Sequence, residues 1–131
     1  MFELTISGKV YGFNFGFGFY KEIDKTIKSK ADKNGVSQDM GLQYKLAAVI
    51  DGNPDAIVDV LDIANKYAKG YERITRADLE EYIETVEDFD ALREELLDFF
   101  RSSNMTKAKM RLLDAIMNMT PEEKEKIMQN Q

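Results

Sequence analysis

At 131 residues, with 44% hydrophobic and 32% charged side chains, the chain has the size and composition of one soluble globular domain, not of a disordered segment. No apolar run approaches the roughly 18 residues of a membrane-spanning helix, and the opening MFELTISGK lacks the basic and then apolar pattern of a secretory signal. A formal charge of −6 with no His and no Cys removes the commonest general base, the thiol nucleophile and the soft metal ligands together.

The first predicted elements are strands. In FELTI (2–6), Phe2, Leu4 and Ile6 alternate with Glu3 and Thr5. SGK (7–9) supplies a turn around Gly8, and VYGFNF (10–15) resumes a β-branched and aromatic run, so the two read as a hairpin. A hairpin alone is marginal in water and needs a packed partner on its apolar face.

Helical periodicity takes over after about residue 18. Phe19, Ile23 and Ile27 lie four apart on one stripe, followed by a polar connector SKADKNG (29–35) with Gly35 as a stop signal. Ser37 is the expected start of a helix carrying Leu42, Leu46, Val49 and Ile50. In DGNPDA (51–56), Gly52 ends that helix, Asn53 caps the next, and Pro54 takes a first-turn position whose N–H has no partner anyway. Ile57, Leu61, Ala64 and Ala68 then form a stripe that runs to Gly70. Thr75, with Asp78 three residues on, caps a helix bearing Leu79, Tyr82, Ile83 and Val86. A further unit carries Phe89, Leu92, Leu96, Phe99 and Phe100 up to the break at RSSN (101–104). Met105, Leu112, Ile116 and Met119 mark another helix, and Thr120 with Pro121 opens a short last one expected to fray.

The pattern predicts a single α+β domain over 1–131: an N-terminal β-hairpin (1–18) packed on a helical body of about five to seven helices (19–119), then the frayed C-terminal helix (120–131). Charge is unevenly spread along it. Residues 51–101 hold fifteen acids against six bases, whereas residues 1–36 hold six bases against four acids. That acidic middle argues against nucleic acid, whose binding draws on clustered Lys and Arg. It suits a basic protein partner, although runs of charge are usually the solvated sides of helices.

Candidate chemistry is sparse. The carboxylate pairs Asp59/Asp62, Glu80/Glu84 and Glu94/Asp98 fall on faces opposite the apolar stripes, where nothing desolvates them into an acid–base dyad. Counted as a calcium loop from Asp32, the ligand positions fall on Val36 and Gln43 and the glycine position on Ser37, so the loop does not fit. No catalytic, metal or cofactor residue is expected. FNFGFGFY (13–20) is the most unusual stretch. As a phosphate loop it lacks the third glycine, having Lys21 there, and Phe17 and Phe19 obstruct the backbone. As an RNA-recognition octamer it has Phe15 where a basic residue belongs and Glu22 in place of the last aromatic. The plain reading is a period-2 row of Phe13, Phe15, Phe17 and Phe19 filling a core, with Asn14, Gly16 and Gly18 facing out or permitting a bend. A sharper reading leaves part of that row, Phe13, Phe15, Phe17 and Phe19, as an oligomer or partner contact.

ELTISGKVYGFNFGFGFYKEIDK (3–25) resembles the opening of the tail assembly chaperones of Gram-positive siphophages and prophages. GLQYKLAAVIDGNPDAIVDVLDIANK (41–66), the stretch 74–100 and NMTKAKMRLL (104–113) are similar to later blocks of that family. The resemblance implies a non-enzymatic factor in the host cytoplasm, absent from the mature virion. Such a factor would bind and solubilise the tape measure protein, recruit the tail tube protein, and form a homo-oligomer, without nucleic acid or membrane. Met40, Met110, Met117 and Met128 lie off the predicted core stripes and are candidates for an adaptable client surface. Two other readings remain: an acidic helical adaptor or structural subunit kept in the particle, and an RNA-binding module that uses the phenylalanine row.

Overall fold

The alternation at the N-terminus produces the predicted hairpin. In the computed structural model, which describes residues 1–30, 40–120 and 122, β1 (Phe2–Ile6) pairs antiparallel with β2 (Lys9–Phe13), Phe2 opposite Phe13 and Ile6 opposite Lys9. Ser7 and Gly8 connect them with φ of 52° and 77°. Two consecutive positive φ values define a type I′ turn, whose twist matches that of the strands. Phe2, Leu4 and Ile6 are buried and Glu3 and Thr5 exposed, so the register sends one face of β1 into the core.

Helices fill the rest: α1 (Phe17–Lys30), α2 (Met40–Ile50), α3 (Pro54–Lys66), α4 (Arg76–Thr85), α5 (Phe89–Ser102) and α6 (Lys107–Met117). The α+β architecture and the helix number agree with the sequence reading. The Gly35 stop, the Ser37 start and the helix beyond Thr120 fall outside the described residues, as do the side chains of Ile27, Met40 and Met128. The glycine and capping signals fall where expected. Gly52 takes φ of 79° at the end of α2, Asn53 N–H reaches Ala48 O and Gly52 N–H reaches Val49 O, the paired closure of a Schellman motif. Asn53 Oδ1 accepts from Ala56 N–H at 3.2 Å, and Thr75 Oγ1 from Asp78 N–H at 3.1 Å.

α3 is the central helix. Ala56, Ile57, Val58, Val60, Leu61, Ala64 and Asn65 are all buried, because α1, α2, α4 and β2 each pack against it. α2 in turn touches α5 and α6, so the core is continuous from the hairpin to the last described helix. One carboxylate ties three helices at the rim of this core. Asp59 of α3 accepts from Lys45 of α2 at 2.8 Å and pairs with Arg76 at the start of α4 at 2.7 Å. Burial alone would raise the Asp59 carboxyl, but hydrogen bonds from Lys45 and Arg76 and their charges outweigh it and hold it below its ordinary value. Asp62 pairs with Arg73 at 3.0 Å, so the Asp59/Asp62 pair works as two separate clamps.

α6 departs from the expected phase. Its buried residues are Met110 and Leu113, preceded by buried Thr106, while Leu112 is 45% exposed and Met117 54%. Of the expected stripe Leu112 is therefore exposed and Met105, Ile116 and Met119 only half-buried, and Met110 belongs to the core instead of a client surface. α6 is apolar on two opposite sides, and the core takes the side on which Thr106 Oγ1 donates to Phe100 O at 2.7 Å.

Two measurements test this account. Ser7→Gly relieves the left-handed strain of a residue with a Cβ, and thermal unfolding is expected to show a gain of about 0.5–1 kcal/mol; a loss would remove the turn assignment. Asp59→Asn is expected to cost about 1–2 kcal/mol near neutral pH, the partial exposure of the pair limiting the effect. Because the folded value is lowered, the native chain holds this advantage fully above 3.8 and loses it as pH falls further. Urea unfolding of both proteins across that range is expected to show the two curves converging in acid.

Candidate partner-binding site at the hairpin–helix junction

The path from β2 into α1 is fixed by polar contacts with the end of α3. Asn14 N–H donates to Ala64 O at 2.9 Å, a carbonyl that also accepts from Tyr67 N–H, and Asn14 Nδ2 donates to Tyr67 O at 3.1 Å, so this asparagine binds the carbonyls at the end of α3. It faces α3, where the sequence reading had it facing out or permitting a bend. Asn65, buried in the last turn of α3, adds a second tie. Its Nδ2 donates to Gly12 O at 3.0 Å and Glu72 O at 3.1 Å, and its Oδ1 accepts from Ile74 N–H at 2.9 Å and Arg73 Nη1 at 2.7 Å. All four hydrogen-bonding positions of the amide are filled, which is what makes its burial tolerable.

Two glycines let aromatic rings lie flat on this backbone. A Cβ at Gly12 would stand 2.5 Å from the Tyr71 ring, and one at Gly18 would stand 2.4 Å from the Tyr67 ring. Tyr71 OH hydrogen-bonds Glu3, and Tyr67 OH donates to Glu22 Oε1 at 2.7 Å. Lys66 Nζ reaches both oxygens of Glu22, at 3.0 and 2.9 Å. Burial raises the Glu22 carboxyl, but the hydrogen bonds from Lys66 and Tyr67 prevail and set it below its ordinary value.

Within this frame the four phenylalanines part company. Phe13, Phe15 and Phe19 are buried, whereas Phe17 is 67% exposed. The row does not share one extended face, because α1 starts at Phe17 and the period changes from 2 to 3.6 there. In the helix Phe19 and Ile23 face the core together and Phe17 points away. Phe15 meets Phe19 and Phe100 edge to face, each at 4.9 Å between ring centroids, and also touches Phe2 at 6.1 Å and Phe99 at 5.6 Å. With Phe13, Phe15 and Phe19 enclosed, these four phenylalanines do not form an open row on which nucleic-acid bases could stack.

What remains open is a patch beside the nest. Phe17 and Met1, the latter 60% exposed, border a cleft of about 350 Å³ whose wall includes Phe99, Asn104 and half-buried Met105. A phenylalanine left in water between two glycines loses the free energy its ring gains on burial, about 1.5–3 kcal/mol, until something covers it. Sequence reasoning missed the contribution of Met1, which follows only from the hairpin register, and the role of Asn65, whose one signal is a polar residue beside the Leu61–Ala64–Ala68 stripe. Among the described residues no cluster of carboxylates has the geometry to hold a metal ion, and no helix is long and apolar enough to cross a membrane.

The comparisons with known proteins agree with this arrangement in one respect and are empty in the others. No curated protein and no solved structure matches the chain. The model of the family described as phage tail assembly chaperone protein, TAC, matches residues 3–114, a span that takes in the hairpin, the phenylalanine nest and the helices through most of α6. The chain belongs to the phage tail assembly chaperone family.

Proposed function

We propose that the protein binds the tape measure protein during tail assembly and keeps it soluble, acting without catalysis in the cytoplasm of the bacterial host and leaving before the virion matures. The observation that carries the reading is the family match over residues 3–114. The open Phe17 and Met1 patch supports it, because a rigidly backed apolar surface suits an amphipathic helical client laid against it. The tail tube protein is the second client, recruited once the first is held. An acidic subunit retained in the particle is the competing role, and the run of carboxylates along α4 and α5 favours it.

Co-expression with the tape measure protein tests the reading. The client is expected to move from the pellet to the soluble fraction and to co-purify; an equally insoluble client with no complex overturns the proposal. Mass spectrometry of purified virions is expected to find no copy of the chain, and a stoichiometric band would favour the structural subunit. Two substitutions separate client contact from folding. Phe15→Ala is expected to cost about 3–5 kcal/mol of stability, since it empties the centre of the nest. Phe17→Asp is expected to leave the thermal midpoint near that of the native chain and to lower client recovery several-fold.

A further inference from the structure

The hairpin forms a sheet of two strands, and the two outer edges of that sheet differ. Ile6 and Lys9 close the two-residue turn, so they exchange main-chain hydrogen bonds, and alternation makes Leu4/Tyr11 and Phe2/Phe13 the next bonded pairs. The N–H and C=O groups of Glu3 and Thr5 therefore point outward from β1, and those of Gly12 outward from β2. On the β2 side α3 closes the edge, with Asn65 Nδ2 donating to Gly12 O at 3.0 Å. On the β1 side no further strand follows among the described residues, and Glu3 and Thr5 are both exposed. Exposed edges are usually guarded by Lys, Pro or a bulge, and FELTI has none of these. Its one charge, Glu3, accepts from the Tyr71 hydroxyl, and the Tyr71 ring lies over Gly12. The carboxylate is thus drawn across the outer face of the sheet toward β2, which leaves the edge bare.

We infer that the outer edge of β1 is a docking site for an extended segment of another protein, one in which basic residues alternate with β-branched apolar ones. Main-chain pairing supplies the affinity. Glu3 and Thr5 each offer one donor and one acceptor, so an added antiparallel strand makes four hydrogen bonds in two bonded pairs. Alternation supplies the selection. Residues opposite Glu3 and Thr5 share the solvent face of the sheet, where the Glu3 carboxylate favours a lysine or arginine as its cross-strand neighbour. Residues between them fall on the face of Phe2, Leu4 and Ile6, which calls for apolar side chains. The net charge of −6 draws a basic segment and resists a second copy of the chain at the same edge. A third strand also answers the weakness of the hairpin, since two strands are marginal in water and three with an apolar face are not. The edge takes in neither Phe17 nor its cleft, so the inference is independent of the client contact proposed above.

Fluorescence anisotropy of the full chain with a labelled, capped peptide Val-Lys-Val-Lys-Val is the test. Saturable binding is expected at low salt, about tenfold tighter than that of Val-Glu-Val-Glu-Val; equal binding of the two, or none, overturns the inference. Methylating the main-chain nitrogens of both lysines removes the hydrogens that face β1 and is expected to abolish binding. Methylating the nitrogen of the central valine, which faces away, is expected to leave binding in place. Equal affinity of the two methylated peptides refutes strand addition. Thr5→Pro deletes one outward donor that the hairpin ladder does not use. That variant is expected to weaken the peptide about tenfold, with a thermal midpoint near that of the native chain. The methylated peptides leave the protein untouched, so their comparison decides the matter even where Thr5→Pro unfolds. Amide hydrogen exchange reads the edge directly: the Thr5 amide is expected to exchange fast in the free chain and slowly in the complex, and the Leu4 amide slowly in both. Protection of Thr5 that grows with protein concentration in the absence of peptide would show a second copy at the edge and overturn this choice of occupant. Phe17→Asp is expected to bind the peptide as the native chain does, so failure of strand addition and failure of the client reading are told apart.

Discussion

The fold turns on where the Phe15 ring sits. It is held between Phe19 of α1 and Phe100 of α5, with Phe2 of β1 and Phe99 closing the other sides. These rings come from three parts of the chain far apart in sequence, and no strand or helix contains Phe15 itself. Each edge-to-face pair adds about 0.5–1.5 kcal/mol beyond the area it buries. The nest is therefore the point at which hairpin, first helix and fifth helix become one body. A two-stranded hairpin has little stability by itself, and here its inner face is completed by a residue that follows its second strand.

Such a loop residue needs its backbone fixed, and α3 does this. The last carbonyls of α3 accept from Asn14 on one side of Phe15, while Asn65 in the same turn holds Gly12. An exposed backbone amide exchanges freely with water, whereas a buried one must be paired. The two asparagines settle this requirement at the junction and also set its direction. Once Phe13 and Phe15 are inward and Asn14 is on α3, the chain turns at Gly16 and begins α1 with Phe17 on the solvent side. The exposed phenylalanine is a geometric consequence of the buried ones.

Much of this was legible in the sequence. Alternation gave β1, a short Gly-containing turn gave the hairpin, and Gly52, Asn53, Pro54 and Thr75 marked helix ends through chemistry confined to one turn. The failures arise where local pattern leaves two solutions. Phe13 to Phe19 reads as one row at period 2, yet the row crosses into a helix, and the residue at which the period changes is set by Asn14 bonding to a helix some fifty residues away. α6 is ambiguous for a different reason. It carries apolar residues on two sides, and periodicity ranks neither; Met110 and Leu113 win because α2 and α5 lie on that side. Asn65 was invisible because a buried amide is distinguished only by the four groups that satisfy it. Those groups come from β2 and from the loop before α4.

A helix with two apolar sides imposes a constraint on the surface. With Met110 and Leu113 turned into the core, Ala108, Leu112 and Ala115 stay exposed. A net charge of −6 opposes indiscriminate clustering between copies, since like charge repels at contact distances where salt screening is incomplete. Repulsion of that kind is averaged over the surface and is overcome only where a basic patch meets an acidic one. The chain concentrates its acids between residues 51 and 101 and keeps Lys107, Lys109 and Arg111 together on α6.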